Sequence, residues 1–536
     1  MAAVLDRPFT PMDFSPSGGG LDFLGMRWVN LQILETRLLS GVNNQTRDFG
    51  SYCLAVWIPW KFRALYHRRE DFKYSNFVRF QESIEVATAY VIRDGSPATD
   101  KYGRPNNRIG VQQKLKLPAK LSFAEAERSN STSLYAAPLY GPSLSYLGLI
   151  SGDAAAQDGT STGIPLMADD PNTEVLAHTV EDAIQDDLIR TGKIATARVM
   201  KDTLDETGFA GLHPAYYRKA SNKAKTAFLA KLLPKDQANV RTLTARLIIA
   251  TLKRRPHLDV DNLRAVWHTG LFAPEEPLRL REPELVTQAE LWSLFQTRQY
   301  QRYIIELMML CFETAIGDRC TTIDRITSHA MAGVREHHVQ LTTFRHWLTQ
   351  EAKPISASKD YEGVSERWAQ VVSGDHSHYI WISDEDDADN CGRALRMLAR
   401  WWLGTHVWMA RREYDKILNL GGEDRLSMAW FFRWVERRLD VSLQSFVKDM
   451  FEQLVFAQHV RVALSRFDGV AQRLRFALAD EGITPTHAMA DKLANGIPGW
   501  SADRLDAFVD LLTDLSVLKV DEDGGLTLDA LATSVE

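Results

Sequence analysis

Between Arg190 and Arg264, sixteen lysines and arginines stand against six aspartates and glutamates, a local excess of +10 in a chain of formal net charge −6. Such an excess draws a phosphate backbone by counterion release. The candidate phosphate contacts are Arg218, Lys219, Lys223, Lys225, Lys253, Arg254 and Arg255. Tyr216 and Tyr217 lie beside Arg218 and Lys219 and offer faces on which bases stack. The same residues also read as solvated helical faces that balance acidic surface elsewhere in the chain. A second basic stripe, Arg393, Arg396 and Arg400, falls on one helical face, with Arg411 and Arg412 following.

Acidic chemistry concentrates at the other end. Asp503, Asp506, Asp510 and Asp514 line one face of a helix expected over 501–517, and Leu505, Phe508, Val509, Leu512 and Leu515 line the other. Helical patterns over 472–479 and 486–494, with a hairpin over 518–528 turning at Asp523-Gly524-Gly525, complete a winged-helix-like layout. A DNA-reading helix carries base where this one carries acid. The face therefore suits a basic protein partner, or the chain's own basic middle.

Other chemistry has thinner support. His329, His337, His338, His346, His376 and His378 cluster, with Glu336 and Asp375 nearby, but no HExxH or zinc-ligand spacing organises them. A metal-dependent nuclease using this segment is the alternative reading; surface or core histidines are the plainer one. Cys53, Cys311, Cys320 and Cys391 lack CxxC spacing and read as reduced thiols. The acidic run 384–389 reads as the charged start of a helix rather than a calcium loop. There is no GxxxxGK[ST], no GxGxxG after a strand and no GxSxG, which disfavours an ATPase, a Rossmann oxidoreductase and a serine hydrolase. No catalytic residue, metal or cofactor is assigned.

The elements that must position these residues are mainly α-helical. A chain of 536 residues, 45% hydrophobic and 25% charged, exceeds one hydrophobic core. The expected organisation is a flexible leader (1–20), an aromatic-rich mixed domain (21–170), a basic helical domain (171–273), a helical domain with a short strand at 378–382 (287–469), and a winged-helix-like domain (470–536). Tryptophans such as Trp57, Trp401 and Trp434 fall on helix-patterned sequence and read as core. No apolar run reaches the length of a bilayer crossing and no signal peptide is evident, so a cytoplasmic protein without membrane association is expected.

The segments Leu24-Gly25-Met26-Arg27-Trp28-Val29-Asn30, 41–47, Trp57-Ile58-Pro59-Trp60-Lys61-Phe62, Leu139-Tyr140-Gly141-Pro142-Ser143 and Leu147-Gly148-Leu149 resemble those of uncharacterised bacterial proteins encoded beside antiviral (anti-phage) defence genes. No active site accompanies the resemblance. It implies a component acting with partner proteins in phage defence. Together with the basic middle region, the expectation is a nucleic-acid-associated binding or scaffold subunit of a bacterial complex. It would hold DNA or RNA through the basic residues and partner subunits through the acidic C-terminal face. A protein-only adaptor is the further alternative.

Overall fold

Three- and four-residue apolar spacing recurs along most of the chain, and the computed structural model of the protein is mainly helical. The residues described are 22–44, 47–67, 70–95, 120–122, 134–135, 140–155, 161–195, 198–200, 210–236, 239–273, 276–337, 343–351, 390–466, 474–486, 489 and 503–535. In chain order the helices are α1 (Arg27–Ile33), α2 (Phe49–Tyr66), α3 (Tyr74–Gly95), α4 (Gly141–Tyr146), α5 (Pro171–Ala183), α6 (Asp187–Arg190), α7 (Asn222–Leu232), α8 (Val240–Arg254) and α9 (Val260–Thr269). There follow α10 (Pro283–Gly317), α11 (Ile323–His337), α12 (Phe344–Glu351), α13 (Asn390–Met409), α14 (Asp415–Leu418), α15 (Met428–Glu436), α16 (Leu443–Asp449), α17 (Gln458–Ser465) and α18 (Leu505–Asp514).

Among the described residues the strands are short and pair two by two, always antiparallel. They are β1 (Lys120–Ser122) with β4 (Arg198–Met200), β2 (Ile150–Ala155) with β3 (Ser161–Met167), β5 (Leu271–Ala273) with β6 (Glu276–Pro277), β7 (Phe476–Ala479) with β8 (Gly482–Pro485), and β9 (Leu518–Val520) with β10 (Leu526–Leu528).

The chain forms two units. One takes the described residues up to Leu31, from Thr297 to Glu351 and from Asn390 to Met489; the other takes Gln32 to Gln296 and Asp503 to Val535.

The second unit is built around α2, whose residues Phe49 to Pro59 are all buried. Pro59 lies inside this helix, where it removes an N–H and orphans the carbonyl four residues earlier. That carbonyl, Ala55, instead accepts a hydrogen bond from the Tyr135 hydroxyl at 2.6 Å. One side of α2 meets α5, where Glu181 accepts from the Trp57 indole at 2.9 Å and pairs with Lys61 at 2.5 Å. Toward the N-terminal end, Phe49 and Tyr52 pack on Phe228 of α7, with centroids 5.3 and 4.9 Å apart.

In the first unit, Phe344 stacks on Phe446 at 3.6 Å and Trp401 packs on Phe431 at 4.9 Å. This core is also polar. Arg475 and Glu313, each 1% exposed, form a two-bonded ion pair. The Arg298 guanidinium, fully buried, donates to the carbonyls of Leu426, Arg425 and Met26, and burial pushes its pKa down to about 9.

Several expectations need correction. Residues 472–479, expected as a helix, contain strand β7. The two-residue turn Asp480-Glu481 closes a hairpin, Gly482 takes φ +111°, a conformation natural to glycine, and the Ile483 N–H bonds to the Thr321 carbonyl at 2.8 Å. The helix expected from Ser501 begins at Leu505, because Arg504 sits in the left-handed region at φ +66°. The hairpin expected over 518–528 is present. Hairpin β7–β8 belongs to one unit, and α18 and β9–β10 belong to the other. Residues 276–283, between the expected domains, hold β6 and the start of α10, and the helix that follows the acidic run ends at Met409. The expected domain break at 170/171 falls inside the second unit, where α5 packs on both α2 and α7. The expected strand at 378–382, the acidic run 384–389 and most of the segment 486–494 lie outside the described residues.

Candidate nucleic-acid interface

A short 3₁₀ helix, Pro214–Lys219, enters α7 through Ala220 and Ser221. At three residues per turn, side chains three apart eclipse. Pro214 and Tyr217 therefore share one face, which is buried, and Tyr216 and Lys219 share another, which is exposed. Tyr217 is 1% exposed and donates its hydroxyl to the Gly211 carbonyl. Tyr216 is 52% exposed, its ring held edge-on to that of Tyr217 at 5.5 Å. Sequence alone could not tell these two tyrosines apart.

Two contacts fix the turn. Gly50 of α2 lies so close to Pro214 that a Cβ there would overlap the proline carbonyl. Arg218, on the third face, bonds through Nε to Asp514 Oδ1 at 2.9 Å. Ser221 then caps α7, accepting from the Ala224 N–H at 3.4 Å, and the first turn of α7 carries Lys223 and no acid.

The seven candidate phosphate contacts divide sharply. Lys219 and Lys223 are exposed, with no hydrogen bond or ion pair among the described residues. Lys253 is also exposed, though it interacts elsewhere. Lys225 is 6% exposed and donates to the Ser516 hydroxyl at 2.8 Å; burial lowers its pKa. Arg218 is committed to Asp514. Arg254 donates to the Arg279 carbonyl at 2.7 Å, and Arg255 to the Phe272 carbonyl at 3.1 Å with Glu276 3.5 Å away. Much of the basic excess thus serves the fold.

The acidic face of α18 meets arginines of its own unit. Arg264 donates to both oxygens of Asp503, at 2.5 and 2.6 Å, and to Asp506 at 2.7 Å. Asp510 lies 3.6 Å from Arg47. Asp514, besides holding Arg218, accepts from the Phe49 N–H at 3.3 Å and so sits at the N-terminus of α2, where the helix dipole favours a carboxylate. Of the two occupants this face suits, the chain's own basic residues are the ones against it. Arg47 and Arg504, the latter paired with Glu35, were not singled out from sequence; their partners are hundreds of residues distant.

The remaining candidates are scattered. Arg393 donates to the Tyr303 hydroxyl at 3.3 Å, and Arg411 pairs with Glu413 at 2.8 Å and lies over Tyr414. His329 is 3.0 Å from Asp318, and His346 is exposed; His338, His376 and His378 lie outside the described residues. Among the described residues no group of His, Cys, Asp and Glu is placed to hold a metal ion. Trp57, Trp401 and Trp434 are fully buried, whereas Trp28 is 41% exposed. Within the described residues no helix is long and apolar enough to cross a membrane. No family model, curated protein or solved structure matches the chain.

Proposed function

We propose that the protein is a nucleic-acid-associated binding or scaffold subunit of a bacterial multiprotein complex. The observation that carries the reading is the exposed set Tyr216, Lys219 and Lys223, within a region of sixteen basic and six acidic residues. Phosphate attraction needs only accessible cations, and stacking needs an accessible ring. The resemblance of the N-terminal segments to proteins encoded among anti-phage defence genes supplies the setting. With the carboxylates of α18 engaged inside the chain, a partner subunit would dock on other surfaces.

Fluorescence anisotropy with labelled DNA and RNA at low salt tests the proposal. Charge reversal at Lys219 and Lys223 tests the site, because neither side chain supports the fold. Binding that disappears in Lys219→Glu/Lys223→Glu is expected. Absence of binding by the intact protein, or binding indifferent to both reversals, would reject it.

A further inference from the structure

We infer that the Tyr216 site takes single-stranded nucleic acid, with an unpaired base stacked on the Tyr216 ring and its phosphates on Lys219 and Lys223. This deepens the proposed function and rests on it. The eclipsed geometry of the 3₁₀ turn sets Tyr216 and Lys219 on one face, about 6 Å apart along its axis. An aromatic platform and a cation are thus presented together, as a base and its phosphate require.

The turn that carries the ring is anchored at three points. Tyr217 anchors the turn from below through its buried ring and its bond to Gly211, Arg218 is tied sideways to Asp514, and Gly50 seats Pro214 against α2. Lys223, exposed in the first turn of α7, follows four residues after Lys219, and that turn carries no acidic residue of its own. A duplex keeps its bases stacked within the helix and offers this surface only phosphates, so the ring would contribute nothing to duplex binding.

The test compares a labelled oligothymidylate with a duplex of equal length, by anisotropy at low salt, for the intact protein, Tyr216→Ala, Tyr216→Phe and Lys219→Glu/Lys223→Glu. Circular dichroism verifies that each variant is folded. The expected pattern is tighter binding of the single strand, a loss of roughly ten-fold in Tyr216→Ala for the single strand alone, retention in Tyr216→Phe, and loss of both ligands in the double reversal. Photocrosslinking of a 5-iodouracil oligonucleotide should map to Tyr216. Single-strand binding unchanged in Tyr216→Ala but abolished by the lysine reversals would overturn the stacking site and leave the phosphate reading intact. Failure of the intact protein to bind any oligonucleotide would overturn both.

Discussion

Two histidines with lowered pKa make the fold sensitive to acid. Burial pushes the pKa of His268 down to about 4, and burial, with Arg475 nearby, does the same to His459. Both are neutral in the folded protein at pH 7, whereas an unfolded histidine takes up its proton near pH 6.5. Below that value the unfolded chain binds more protons, so stability falls as pH drops from about 6.5 toward 4. Each histidine should cost about 2 kcal/mol by pH 5. Urea denaturation at pH 7 and pH 5 should show this loss, and His459→Gln should reduce its pH dependence. Equal stability at the two pH values would contradict the lowered pKa of both rings. Arg264 is the other residue on which much converges. It is 13% exposed and holds Asp503, itself 8% exposed, together with Asp506. Removing one side of such a pair leaves an uncompensated charge, so Arg264→Ala should cost about 3 kcal/mol. Arg264→Met combined with Asp503→Leu should recover part of it, and a double variant no better than the single one would argue that the pair is not the source of the loss.

Among the elements, α18 shows most clearly what sequence can and cannot show. Its amphipathic pattern is legible, and the apolar face is buried as the spacing requires, with Leu505, Phe508, Val509, Leu511 and Leu512 at 0% exposure. The partner of its acidic face is not legible, because Asp503 to Arg264 and Asp510 to Arg47 are pairings of distant residues that no local pattern encodes. Strand β7 falls in a stretch, 472–479, that reads as helix for a different reason. Four residues cannot separate a period of two from one of 3.6, and the closing turn is identified only by Gly482 lying against Thr321. The long helix α10 shows its helical pattern in sequence but not its buried polar row, since Arg298 donates to carbonyls rather than to acids. Phe508→Ala should destabilise the second unit by about 3 to 5 kcal/mol, read as an earlier unfolding midpoint in denaturant. Gly50→Ala should displace the 214–219 turn, lowering stability and weakening single-strand binding together; a fully stable Gly50→Ala protein with unaltered binding would contradict the seating of the turn on α2.

At the scale of the whole molecule, the local excess of positive charge divides into a structural part and an accessible part. Arg218, Lys225, Arg254, Arg255 and Arg264 serve the second unit, while Lys219 and Lys223 remain open beside the exposed Tyr216. The helical class and the basic region were legible from composition and spacing. The division of the chain into two units, each assembled from separated stretches, was not, because it depends on long-range packing. Within the second unit the acidic C-terminal residues pair with the chain's own arginines, Asp503 and Asp506 with Arg264, Asp510 with Arg47 and Asp514 with Arg218. In the proposed complex the accessible lysines meet phosphates. That claim is tested most directly by the salt dependence of single-strand binding, as the slope of log K against log salt concentration for the intact protein and for Lys219→Ala/Lys223→Ala. Each lost phosphate contact should lower the magnitude of the slope by about 0.7, so the double variant should show a slope shallower by about 1.4. Identical slopes for the two proteins would contradict the claim.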